Sequence, residues 1–195
     1  MVDTLSLLER AANPTASDSL PNSAQVVTAL LEREKEANKQ KSNYTLNDLV
    51  GCWKLRFITG TKKTRKRAGI VLGSGKYIPS LVKIQIAYEN DGQTASNIGR
   101  VTNTVKLAFL TLSLTGPVEF IPQKSILAFD FTVMKITAFG LQLYNGYIKG
   151  GAAKEAEFKD KPLKERAFFR YFLIQENAIA ARGRGGGLAL WAREK

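Results

Sequence analysis

Two hydrophobic rhythms divide the chain. In the first fifty residues the apolar positions recur at helical spacing. Leu5, Leu7 and Leu8 gather on one side of a short helix over 4–11, which ends at Asn13-Pro14 because a residue before proline avoids the helical region. After a Ser/Thr/Pro/Asp-rich turn, Ser23 is a good N-cap for a second helix running to about Lys39, with Val26, Val27, Leu30 and Leu31 as its stripe. Thr45 and Asp48 are spaced like a capping box and predict a single helical turn over 45–50.

From Gly51 the period changes to two. In Gly51-Cys52-Trp53-Lys54-Leu55-Arg56-Phe57-Ile58-Thr59, one face carries Trp53, Leu55, Phe57 and Thr59 and the other Cys52, Lys54, Arg56 and Ile58. That is the pattern of a half-buried antiparallel strand. Gly51 two residues before Trp53 lets a neighbour approach closely, and the indole can then close the end of a sheet or barrel. The alternation returns at Val82–Tyr88, Gly99–Leu107 and Leu110–Leu114, where Gly116-Pro117 should interrupt it, then in a short strand at Val118 and Phe120. Leu127, Phe129, Phe131 and Val133 read as one further strand, and Leu141–Ile148 as another. After a short helix near 152–158 come Phe168–Gln175, Ala178–Arg182 and Leu188–Arg193, the last two joined through a glycine-rich turn. Nine or so short strands with turn signals between them imply an antiparallel sheet, and closing it into a barrel removes its edges. The first and last strands should then meet, with Arg182 or Arg193 over the Trp53 indole. Such a barrel holds either a side-chain core or one small ligand. The expected inward aromatics, Trp53, Phe57, Phe129, Phe131, Phe168 and Phe172, suit both.

Composition narrows the chemistry. The 195 residues carry a formal charge of +12, which favours an anionic partner: nucleic acid, an acidic membrane surface or an acidic protein. Five of the seven residues Thr61–Arg67 are basic, so Lys62, Lys63, Arg65, Lys66 and Arg67, with Lys76 nearby, form either a solvated hairpin loop or a contact for phosphate or anionic lipid. There is no histidine and one cysteine, Cys52, which removes imidazole-based catalysis, an internal disulfide and a thiolate metal cluster. Among strand-region carboxylates only Asp130, Glu119 and Glu176 invite a catalytic reading, and none is paired in sequence. No apolar run approaches the ~18–20 residues that span a bilayer. Arg182-Gly183-Arg184-Gly185-Gly186 is similar to an RGG segment for single-stranded nucleic acid. A single copy between two strands is more simply a hairpin turn, so nucleic acid is the weaker reading.

Three segments in order resemble the plastid lipid-associated protein (PAP)/fibrillin family. They are Leu49-Val50-Gly51-Cys52-Trp53-Lys54-Leu55 (Leu-x-Gly-x-Trp-x-Leu), Ile98-Gly99-Arg100-Val101-Thr102-Asn103-Thr104-Val105, and Ile179-Ala180-Ala181-Arg182-Gly183-Arg184-Gly185-Gly186-Gly187-Leu188. The resemblance implies a lipocalin-like β-barrel over 45–195 behind an N-terminal helical segment over 1–44. Gly51, Trp53, Gly99, Asn103, Arg182, Gly183 and Gly186 are then its motif positions. It implies a non-enzymatic, lipid-associated protein of thylakoids or lipid droplets that handles carotenoid, quinone or tocopherol, with a photoprotective role. It further implies no cofactor beyond a bound isoprenoid, peripheral rather than spanning contact with an anionic membrane, and a prenyl-lipid biosynthetic enzyme or photosystem component as possible partner. A scaffold role for such an enzyme is the alternative. No transit peptide is visible, so the expectation is a cyanobacterial member, or a plastid form without its leader. Arg184 departs from the family, which often has an acidic residue near that position, and the 61–67 stretch is unusually basic.

Overall fold

The structure, a computed structural model, describes residues 3–15, 19–39, 43–60, 75–92 and 97–194. The basic stretch Lys62–Arg67 lies outside the described residues. Helix α1 spans Thr4–Ala12, its N-cap Asp3 accepting from Leu5 N. Helix α2 spans Ser23–Ala37, and its cap is Asn22 rather than Ser23, in a reciprocal capping box with Gln25. A single 3₁₀ turn, Asn47–Leu49, follows, with the Asp48 carboxylate accepting from both Thr45 N (2.8 Å) and Thr45 Oγ1 (3.0 Å).

Among the described residues eleven strands follow: β1 (Gly51–Thr59), β2 (Gly75–Tyr77), β3 (Val82–Asn90), β4 (Ile98–Leu107), β5 (Leu110–Ile121), β6 (Ile126–Phe129), β7 (Val133–Ala138), β8 (Leu141–Tyr147), β9 (Ala167–Ile174), β10 (Ala178–Gly183) and β11 (Leu188–Arg193). A short helix α3, Gly151–Ala156, lies between β8 and β9. All pairings are antiparallel. The order β4-β3-β1-β11-β10-β9-β6-β5 closes on itself through β4–β5, giving an eight-stranded barrel. Going round it, the strands follow chain order, an up-and-down meander in which β1 meets β11. Strand β2 pairs with the end of β1, and the β7–β8 hairpin stands outside the ring. The fold is thus mainly β, a closed antiparallel barrel preceded by short helices.

Two expected breaks fall differently. Strand β5 runs unbroken through Gly116-Pro117. Instead of ending the strand, Gly116 marks where β5 changes partner, from β7 over Leu110–Thr115 to β6 over Val118–Ile121. A side chain there would collide with the Asp130 carbonyl at 2.0 Å. Conversely, the single strand expected over Leu127–Val133 is split into β6 and β7 by 130–132, where Asp130 Oδ1 accepts from Phe131 N (2.9 Å).

Two cores result. One fills the barrel: Leu46, Leu49, Trp53, Leu55, Ile86, Tyr88, Val101, Val118, Phe120, Leu127, Phe129, Tyr171, Ile179, Ala181 and Trp191. The other lies between the barrel's outer wall and the helices, where α1 and α2 cover Phe57, Phe172, Leu173, Ala180, Leu188 and Leu190. Arg182 clamps this layer, its Nε donating to Glu34 Oε1 (2.6 Å) and its Nη1 to Gly186 O (2.6 Å).

Candidate functional site

Among the described residues the barrel is sealed at one end, and its lining is less covered toward the other. At the sealed end the segment 44–49 crosses beneath β1, and Leu46, Leu49 and Trp53 are fully buried. Trp53 Nε1 donates to Leu49 O (2.7 Å), and the Arg193 guanidinium lies 4.0 Å over the indole. Gly51 permits this: its φ is +123°, and a Cβ would sit 2.6 Å from Arg193 Nη1. Arg193 is therefore the arginine expected over Trp53, while Arg182 holds α2. Gly99 is equally constrained, since a Cβ would meet Glu89 O at 2.0 Å. Deeper in the barrel the Tyr88 and Tyr171 hydroxyls share a 2.7 Å hydrogen bond in full burial, and desolvation raises both pKa values.

Toward the other end the lining loses its cover stepwise. On β3 it passes from buried Tyr88 and Ile86 to half-buried Ile84 and Val82. On β4 the series is Val101 buried, Asn103 and Val105 half-buried, Leu107 exposed. On β5 it is Phe120 and Val118 buried, Leu114 and Leu112 half-buried, Leu110 exposed. Paired residues of antiparallel strands share a face, so Met134, Ile136 and Ala138 of β7 extend the same wall beyond the ring. The opposite face of this wall is polar: Thr102 and Thr115 hydroxyls pair at 3.2 Å, Thr104 and Ser113 at 3.1 Å, and Lys106 and Lys135 stand beside them. An apolar face this long would ordinarily be covered; here it is half-open. Within it Asn103 Oδ1 is buried with no hydrogen-bond partner among the described residues.

The aromatic lining differs in part from expectation. Trp53, Phe129 and Phe131 do face the interior, Trp53 as the floor. Phe57 and Phe172 do not: both belong to the outer core under the helices. For Phe57 the reason is a register shift at Leu55/Phe57: Arg56 is an extra residue, and the bulge turns Phe57 to the other face. Phe172 directly follows inward Tyr171 and points outward by simple alternation, and a second bulge falls at this residue. Phe168 lies on the outer face as well, out of phase with inward Phe169 and Tyr171. The lining that period-two reading missed is Phe169, Tyr171 and Trp191. Phe169 stacks on Phe129 at 5.1 Å and meets Trp191 edge-on at 5.5 Å. Nothing in the sequence chose between the two phases of Phe168-Phe169-Arg170-Tyr171-Phe172, because both are aromatic.

The polar groups suggested by sequence are held by the protein itself. Glu119 is ion-paired with Arg166, which also donates to Lys161 O (2.7 Å). Glu176 is the exception: its side chain is exposed, and it is its backbone carbonyl that accepts from Arg193 Nε. Arg184 donates to the carbonyls of Arg166 (3.0 Å) and Lys164, a task no carboxylate could perform, which accounts for a basic residue at this position. Gly183 and Gly186 form the hairpin turn, Gly186 at φ +85°. Burial pushes the Cys52 thiol up, reinforced by Glu194 at 3.5 Å. Among the described residues no group of three or more Cys, Asp or Glu side chains is arranged to hold a metal ion, and no helix is long and apolar enough to cross a membrane.

No protein-family profile matches the sequence, and no curated protein does. Among solved structures, a redesigned β-barrel is similar over 80% of this chain and 100% of its own, with 8% identity and a TM-score of 0.38. The protein is a β-barrel of the size that can enclose one small ligand, an architecture consistent with a lipid-binding barrel.

Proposed function

We propose that this chain is a non-enzymatic lipid-associated protein whose barrel takes up an apolar isoprenoid of the carotenoid, quinone or tocopherol class through its open end. The observation that carries the reading is the graded lining. A sealed aromatic floor passes continuously into an apolar wall left half-open to water. Each methylene buried there would contribute roughly 0.8 kcal/mol. The partnerless Asn103 Oδ1 favours a ligand bearing one hydroxyl, because such a group would satisfy it. The PAP/fibrillin resemblance favours the same class and a location at thylakoids or lipid droplets. Internal use of the Arg182 and Arg184 donors supports a structural role for the arginine-glycine segment over nucleic-acid binding. The pairing of Glu119 with Arg166 supports a non-catalytic reading.

The test is titration of the full chain with α-tocopherol and with β-carotene, which lacks a hydroxyl, read by tryptophan quenching and by thermal melting. Saturation at 100 Kd should add about 2.7 kcal/mol of stability. Leu114→Lys, on the half-open wall, should abolish uptake while the protein still melts cooperatively. Asn103→Leu should stabilise the unliganded protein and weaken tocopherol more than carotene. If neither lipid quenches nor shifts the melt, the ligand reading fails and the scaffold role for a prenyl-lipid enzyme gains.

A further inference from the structure

The open rim carries a feature that ligand uptake does not require. Three turns lie side by side there because β3 begins opposite the end of β4, and β5 begins opposite the end of β7. They present Leu81, Leu107, Phe109, Leu110, Phe139 and Leu141, all exposed, with Leu81 at 83% and Phe139 at 74%. The Phe109 and Phe139 rings stack face to face in the open, centroids 4.1 Å apart at 6°. Phe139 N donates to Phe109 O (3.0 Å), so the two turns are one rigid unit. Both turns place a non-glycine residue at positive φ, Ala108 at 49° and Phe139 at 52°. The two-residue turn Phe139-Gly140 has positive φ at both positions, a geometry that asparagine or glycine adopts far more readily than phenylalanine. A large apolar ring held outward in an unfavourable backbone conformation marks a functional surface.

Charge selects the occupant. No aspartate or glutamate occurs between Asp91 and Glu119, or between Asp130 and Glu155, so β4, β7, β8 and the adjoining half of β5 carry no carboxylate. Lys106 and Lys135 are exposed on the polar face of the same wall, with no ion-pair partner among the described residues. Lys106 precedes Leu107 directly and Lys135 lies three residues before Ala138, so both stand roughly 3–10 Å behind the turns. That spacing matches the ~5–10 Å to which interfacial apolar faces sink into a bilayer, with cations at headgroup level. A second copy of this chain would bring like charges together at the same surface.

We propose that the paired turns Leu107–Leu110 and Ala138–Leu141 are a wedge that inserts shallowly into an anionic lipid bilayer. Once the wedge is inserted, the face running from Leu110 through Leu112 to Leu114 joins the bilayer interior to the barrel lumen. An apolar ligand could pass along it without crossing water, a consequence that rests on the ligand reading above. The docking itself does not.

Flotation of the full chain with isoprenoid-free vesicles, of phosphatidylcholine alone or with added phosphatidylglycerol, tests the docking separately from ligand binding in solution. Wild type should float with the anionic vesicles and lose part of that binding in high salt. Phe109→Ser with Phe139→Asn should weaken binding by roughly tenfold or more. Because asparagine suits the turn, the Phe139→Asn variant should melt no lower than wild type, which separates lost docking from lost fold. In Phe109→Trp, whose new indole is exposed while Trp53 and Trp191 are buried, shallowly brominated lipid should quench the added emission. Wild type that ignores anionic vesicles, a double variant that floats like wild type, or an indole that stays unquenched would each overturn the proposal. So would a wild-type dimer in sedimentation that the double variant dissolves, because the turns would then be a self-association surface.

Discussion

Trp53 is fixed by three neighbours from distant parts of the chain: the Leu49 carbonyl, the Arg193 guanidinium and the space opened by Gly51. The interior polar pair Tyr88–Tyr171 is a comparable local device, two hydroxyls satisfying one another where water is excluded. It carries a pH signature. Both tyrosine pKa values are raised by burial, so the folded state keeps its protons at pH values where the unfolded chain releases them. The contribution is complete below about pH 10, the unfolded tyrosine value, and is lost as pH rises above it. Urea denaturation from pH 9 upward should therefore show stability nearly level until about pH 10 and then falling by up to about 1.4 kcal/mol per pH unit for each tyrosine. In Tyr88→Phe/Tyr171→Phe the fall should be shallower; an unchanged slope would place its origin elsewhere. At this scale Gly51, Trp53 and a covering arginine were legible in the sequence, because glycine beside a large ring states a close approach. Which arginine does the covering was not, since that depends on where β11 ends.

At the scale of elements, the strands themselves follow from alternation and turn residues, and their parity does not. In the barrel ring, Arg56 and Phe172 mark two places where a described strand spends one residue more than its neighbour. Both bulges lie on strands of the wall that curves beneath α1 and α2, and each supplies a phenylalanine to the outer core. Gly116 and Asp130 show the related limit: Gly116 reads as a break yet is a change of partner, and Asp130 reads as mid-strand yet splits the strand. The β7–β8 hairpin sits on β5 alone, since the ring closes through β4, β5 and β6 without it. Replacing 135–145 by Asn-Gly joins the facing residues Met134 and Gly146. The barrel should then keep its β-type circular dichroism and a cooperative melt, and lose anionic-vesicle flotation with the Phe139 turn. Loss of folding would show that the hairpin is part of the core.

For the whole molecule, stability rests on one long-range closure, the pairing of β1 with β11 across the full length of the barrel. That pairing also brings Leu188 N to Thr59 Oγ1 (2.8 Å) and Glu194 N to Cys52 O (2.8 Å). Deleting 188–195 would expose the edges of β1 and β10 and remove Leu188, Leu190 and Trp191 from both cores. The truncated chain should fail to melt cooperatively, while a chain shortened by Lys195 alone should behave as wild type. Helices and barrel belong to one structure for the same reason: the outer core needs α1 and α2 on one side and β1, β9, β10 and β11 on the other.

The sequence by itself determined that this is a barrel of short antiparallel strands behind two helices, because hydrophobic period and turn chemistry are local properties. It also determined the strong positive charge and the absence of imidazole chemistry. Tertiary structure alone decided which aromatics face inward, because a single bulge reverses parity for every residue after it. It alone left one wall of the barrel half-open and gathered three turns onto one rim, since burial depends on neighbours distant in the chain. Gly51-x-Trp53 stands between these cases: its local meaning was written in the sequence, and its partner was supplied by closure of the barrel.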